Sequence, residues 1–127
     1  MNKWIIGSLI IVALFSLILS GCTANVTTDP AEIINTSVDQ EFTIALGSNI
    51  TTGYSWQAEY DTNAVTLVGN EYKADDTTGK IVGAAGTEYF HFKAIKTGSS
   101  QISFTYYRSW ETPKPEDSTA EFNIVVK

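Results

Sequence analysis

Three features of the sequence predict an all-β domain, a sandwich of short antiparallel strands. Apolar and polar residues alternate with a period of two over most of the chain, clusters of turn-forming residues break those runs at short intervals, and no segment carries a convincing helical period. A period of two puts successive side chains on opposite faces of a strand, so each run has one face for a core and one for water. Short strands with frequent turns suit two packed sheets or a barrel.

The chain opens with Lys3 and an almost unbroken apolar run over residues 5–19, which ends in Leu19, Ser20, Gly21 and Cys22. A basic residue ahead of such a run is an export signal. The run is shorter than the roughly 20 residues that span a bilayer as a permanent helix. Its ending resembles a lipobox, in which small residues expose an extended backbone to a signal peptidase and the cysteine thiol takes a diacylglycerol. Residues 1–21 are therefore read as a lipoprotein-type signal peptide and Cys22 as the lipidated residue. The domain is expected on the outer face of the cytoplasmic membrane or cell envelope; an uncleaved anchor with an incidental Cys22 would also put it outside the cytoplasm. Cys22 is the sole cysteine, so no internal disulfide can form and stability must come from the core.

Without the signal about 106 residues remain, a single-domain length. Lys3 leaves with it, so 7 basic residues face 14 acidic ones and the net charge is −7. That charge argues against nucleic acid as a partner and suits a soluble, monomeric domain. Residues 22–37, rich in Thr, Asn and Asp, read as a flexible tether with a first short strand at its end, and residues 38–127 as the folded domain.

Within that domain the inward residues are expected in order along the chain. Phe42, Ile44 and Leu46 come first, then Trp56 with Ala58, then Val65 with Leu67, then Phe90, Phe92 and Ala94. Ile102, Phe104 and Tyr106 follow, and Phe122, Ile124 and Val126 close the set. Turns are expected around Gly47-Ser48-Asn49, Asp61-Thr62-Asn63, residues 75–79, residues 83–86, Thr97-Gly98-Ser99 and residues 113–118. A tryptophan in an early amphipathic strand is typical of immunoglobulin-like sandwiches, where one indole fills the space between the sheets, and Trp56 is assigned that structural role.

The inventory does not support an enzyme. The sole histidine, His91, alternates with Phe90 and Phe92 and so faces solvent, leaving no base for a serine or threonine nucleophile. With no second histidine and no free cysteine, no metal site is expected, and no cofactor either. Nothing marks any pair among the 14 acids for glycoside chemistry. The chain reads as a binder.

Three segments have the residue types of a preformed contact surface. The first is Asn49-Ile50-Thr51-Thr52-Gly53-Tyr54, whose β-branched residues are stiff at χ1 and lose less entropy on docking. Gly53 allows a turn that other residues resist. The second is Gly83-Ala84-Ala85-Gly86, small residues that leave backbone groups open. The third sets Arg108, the only arginine, beside Trp110, two residue types enriched at interface hot spots.

In this order the three segments resemble the signature of the chagasin family, inhibitors of papain-like cysteine proteases. The family's Asn-Pro-Thr-Thr-Gly-Tyr/Phe-x-Trp motif is met by Asn49, Thr51, Thr52, Gly53, Tyr54 and Trp56, with Ile50 in place of proline. Its Gly-x-x-Gly motif is met by Gly83 and Gly86, and its Arg-Pro-Trp/Phe motif by Arg108 and Trp110, with Ser109 in place of proline. The resemblance, over roughly residues 38–127, implies an immunoglobulin-like sandwich whose loops gather at one end as a wedge. Thr51 and Thr52 would sit over the catalytic Cys-His pair of the protease. The loop from Gly83 through Ala84 and Ala85 to Gly86 would lie along one arm of the cleft, and Arg108 with Trp110 along the other. Inhibition would be reversible and competitive.

Asn49-Ile50-Thr51 is also a glycosylation sequon, as are Asn25-Val26-Thr27 and Asn35-Thr36-Ser37. A glycan on Asn49 would obstruct the wedge, so the Asn49 side chain is expected to bond the loop backbone instead. A second function remains open from the residues themselves: Trp110, Tyr106 and Tyr107 could stack on sugar rings in a surface carbohydrate- or protein-binding module.

Overall fold

The computed structural model describes residues 25–75, 78 and 83–127. The signal peptide, Cys22 and most of the turn expected after Asp75 lie outside the described residues. Eight strands form: β1 (Asn25–Thr27), β2 (Ile34–Thr36), β3 (Glu41–Ser48), β4 (Tyr54–Glu59), β5 (Val65–Ala74), β6 (Gly86–Ala94), β7 (Gly98–Arg108) and β8 (Ser118–Val126). They make two four-stranded sheets, in the orders β1-β3-β6-β5 and β2-β8-β7-β4.

The alternation in the sequence becomes the core. In β6 every second residue from Gly86 to Ala94 is buried. Phe90 and Phe92 of this strand meet Phe104 of β7, which in turn is edge-on to Phe122 of β8 with ring centroids 5.7 Å apart. Phe42, Ile44, Val65, Ile102 and Ile124 complete a core drawn from both sheets. His91 lies on the outer face as expected, where its Nδ1 is 2.7 Å from Thr43 Oγ1 and its Nε2 3.2 Å from Glu71.

Two features differ from the sequence expectation. The stretch expected as a tether ending in one short strand supplies that strand, β2, and also β1; each is paired in parallel, with β8 and β3 respectively, so both sheets are mixed at one edge while the six longer strands are antiparallel. Three-residue strands are too short to show a period, and what fixes β2 is a single anchor, Ile34, buried beside Ile124. The second is Trp56, which is half-buried and sits at the rim of the core rather than in its middle. Its Nε1 donates to the Gly47 carbonyl of β3 at 2.9 Å, so the indole ties the two sheets together at one end. Glu88 of β6 makes a second tie there: its buried carboxylate accepts the Trp56 backbone N–H at 3.0 Å.

The registers fix two poles. Ser48 pairs with Gly86, Ala74 with Gly86, Tyr54 with Arg108 and Tyr106 with Ser118, so the β3–β4, β5–β6 and β7–β8 connections all leave from one end, the tip. The β4–β5 and β6–β7 turns and the start of β1, opposite Phe42, belong to the other end, the base.

Candidate functional site at the tip of the sandwich

The first tip loop is a single 3-10 turn, Ile50–Thr52, between β3 and β4. Asn49 caps it in an extended conformation, its Oδ1 accepting from the N–H and hydroxyl of Thr51. Asn side chains satisfy orphan N–H groups in this way at turn starts. Gly53 ends the turn at φ 83°, the left-handed region, and its N–H returns to the Ile50 carbonyl at 3.0 Å. Thr52 Oγ1 donates to the Asn49 carbonyl at 2.7 Å. The turn therefore closes on itself, leaving Ile50, Thr51 and Thr52 exposed at its crest.

Each neighbouring element is tied to this turn. Asn49 Nδ2 donates to the Gly83 carbonyl at 3.0 Å, joining the first loop to the second. The Asn49 side chain is thus occupied by loop contacts on both of its ends, as expected. Arg108 Nε donates to the Thr52 carbonyl at 3.1 Å, joining the first loop to the third. The Arg108 guanidinium also stacks over the Tyr54 ring, 4.8 Å from its centroid, and lies 3.6 Å from Glu111. That ion pair is partly exposed and stabilises little by itself; its role is to fix the fork that reaches Thr52.

Trp110 is 70% exposed, the most exposed large apolar side chain of the described residues. It is nevertheless seated: a Cβ built on Gly53 would lie 2.5 Å from Trp110 Cη2, so the indole rests directly on the glycine backbone. Only glycine at residue 53 satisfies both the positive φ and this contact.

The second loop departs from its expected role in one respect. Gly83, Ala84 and Ala85 lie at the surface or half-buried, but Gly86 is buried inside β6, paired with Ser48 and Ala74. A Cβ there would lie 2.4 Å from the Lys73 carbonyl and 2.5 Å from the Tyr72 ring. Gly86 therefore serves packing under Tyr72 and offers no open backbone to a partner. Arg108 also bonds within the tip, while its side chain stays 38% exposed.

Tyr106, read from the sequence as an inward residue and as a sugar-stacking ring, is part of the tip through its hydroxyl. Its hydroxyl accepts the Asn49 N–H at 2.9 Å and lies 3.4 Å from the Asn49 carbonyl, to which it can donate. The ring packs between Tyr54 and Trp56, with centroids 5.4 Å and 5.0 Å away. No sequence period reports where a hydroxyl at a strand end will reach. Among the described residues no three His, Cys, Asp or Glu side chains group to hold a metal ion.

The two positions where proline was replaced have backbones that accept it. Ile50 is the first residue of the 3-10 turn after an extended Asn49, the placement proline favours. Ser109 is the second residue of a turn closed by Glu111 N–H to Arg108 carbonyl at 3.0 Å, again a proline position. Ile50→Pro and Ser109→Pro should each stabilise the domain by about 0.4–1 kcal/mol through the unfolded chain. Calorimetry should show this as a rise of a few degrees in Tm.

With this geometry in hand, similarity to known proteins is specific. The sequence profile of the Chagasin family peptidase inhibitor I42 matches residues 35–126. Chagasin of Trypanosoma cruzi is 31% identical over 99 residues, covering 74% of this chain and 86% of that protein. The crystal structure of the cysteine protease inhibitor EhICP2 from Entamoeba histolytica superposes with a TM-score of 0.67 at 27% identity, over 81% of this chain and 95% of that one. PbICP-C, solved in complex with falcipain-2, shares the fold at a TM-score of 0.55 and 18% identity, over 81% of this chain and 88% of that one.

Proposed function

The chain belongs to the chagasin family of peptidase inhibitors, a binder and not an enzyme, and from that premise we propose that it inhibits papain-like cysteine proteases by seating its tip loops across the active-site cleft. The observation that carries this reading is the cross-tied tip: Asn49 to Gly83, Arg108 to Thr52 and Trp110 on Gly53 hold three separate loops as one rigid edge. A surface ordered before binding loses little entropy on docking. Thr51 and Thr52 form the crest, Trp110 one flank, and Gly83 with Ala84 and Ala85 the other. About 800 Å² per partner would be an ordinary contact area for such a wedge.

Titration into a papain-type protease with a peptide substrate tests the proposal. The expected result is a rise in apparent KM with Vmax unchanged; inhibition that lowers Vmax alone, or none at micromolar protein, contradicts it. The sugar-stacking alternative keeps one open ring, Trp110, because Tyr106 and Tyr107 are half-buried and Tyr106 is packed between aromatic neighbours.

For location, the proposed reading is a lipid anchor on Cys22. Its support is the apolar run ending at Cys22 and the place of β1, which begins at Asn25 on the base. An anchor three residues before β1 would set the base toward the membrane and the tip away from it, open to proteases outside. Cys22→Ala should move the protein from the membrane fraction to the soluble one on fractionation of the producing cells. Full retention of the variant in the membrane would contradict the lipid anchor.

A further inference from the structure

Resting on the inhibitor reading, we infer that Tyr106 and Arg108 are positioning residues that keep the bound first loop from being cut. A cysteine protease cleaves when its thiolate sulfur bonds to a peptide carbonyl carbon. The carbonyl oxygen takes the negative charge among the protease's donors, the amide nitrogen leaves with a proton from the protease imidazolium, and water then releases the acyl group. The substrate carbonyl must therefore point its oxygen at those donors.

In the first loop three carbonyls are already engaged from within. The Asn49 carbonyl accepts from Thr52 N–H at 3.2 Å and from Thr52 Oγ1 at 2.7 Å, with the Tyr106 hydroxyl at 3.4 Å. The Ile50 carbonyl accepts from Gly53 N–H at 3.0 Å. The Thr52 carbonyl accepts from Arg108 Nε at 3.1 Å. Turning any of these oxygens outward breaks a bond, and turning the Asn49 or Ile50 oxygen also opens the 3-10 turn; misplacement of about 1 Å already costs a large factor in reaction rate.

The two outer clamps come from β7, not from the loop. Tyr106 holds Asn49 from both its N–H and its carbonyl, and Arg108 holds the peptide that joins Thr52 to Gly53. Both are braced in turn, Tyr106 between Tyr54 and Trp56, and Arg108 over Tyr54 and beside Glu111. The loop is a substrate segment folded shut by the strand behind it. Removing a clamp should let the loop sample the extended form that the protease cuts.

The test incubates the full chain and its Tyr106→Phe and Arg108→Met variants with excess active papain-type protease and follows intact mass over hours. Tyr106→Phe keeps the ring and removes only the hydroxyl; Arg108→Met keeps length and removes the donor. Val65→Ala, which loosens the core at the base end of β5, controls for general destabilisation. The expected result is an intact wild type, a cut within residues 49–54 in both clamp variants at least tenfold faster, inhibition that decays as the cut accumulates, and no cut there in Val65→Ala. Clamp variants that bind more weakly but stay as intact as the wild type overturn the inference, as does equal cutting of Val65→Ala at that loop. A wild type that never slows substrate hydrolysis overturns the inhibitor reading itself.

Discussion

Trp110→Ala should weaken inhibition by roughly 30- to 1,000-fold, the factor that corresponds to about 2–4 kcal/mol at an interface hot spot. The indole is 70% exposed, so the free domain loses almost no core packing with it. What the domain loses is the large rigid flank beside Thr51 and Thr52, held in place by its seat on Gly53. The inhibition constant should rise while Tm stays within a degree or two of the parent. An unchanged constant would remove Trp110 from the contact surface.

Phe104→Ala should have the opposite signature, a loss of about 3–5 kcal/mol of stability. Phe104 is fully buried, and its ring meets Phe90, Phe92 and Phe122, with centroids 4.9, 6.4 and 5.7 Å away. It contacts aromatic rings of both sheets, so its removal leaves a cavity that neither sheet can close alone. In a domain stable by about 5–15 kcal/mol, that is a large share of the total. Urea unfolding should show a lower midpoint with the slope unchanged. Trp56→Ala should cost less than Phe104→Ala, because the indole is only half-buried at the rim.

Much of this architecture was legible because strands with one buried face write their period into the sequence. The buried apolar residues of β6, β7 and β8 are the alternating set read from residues 90–94, 102–106 and 122–126, except that Tyr106 is only half-buried. The three tip loops were legible as motifs because their glycines and threonines answer local demands: Gly53 has a positive φ, and Asn49 caps a turn. What stayed hidden depends on contacts distant in sequence. β1 lies in a stretch that reads as a tether with one short strand at its end, because a three-residue strand has no period, yet its pairing partner is β3. Gly86 looked like an open backbone because nothing near it in sequence announces Tyr72 across β5. Tyr106 looked like core because alternation describes where a ring points and says nothing of its hydroxyl, which reaches Asn49 57 residues away.

The most direct test of a cleft-filling wedge is binding to a papain-type protease whose cleft already holds a covalently attached peptidyl inhibitor. Titration calorimetry should give tight one-to-one binding to the free protease and no heat with the filled one. Equal affinity for both forms would mean that the tip does not enter the cleft.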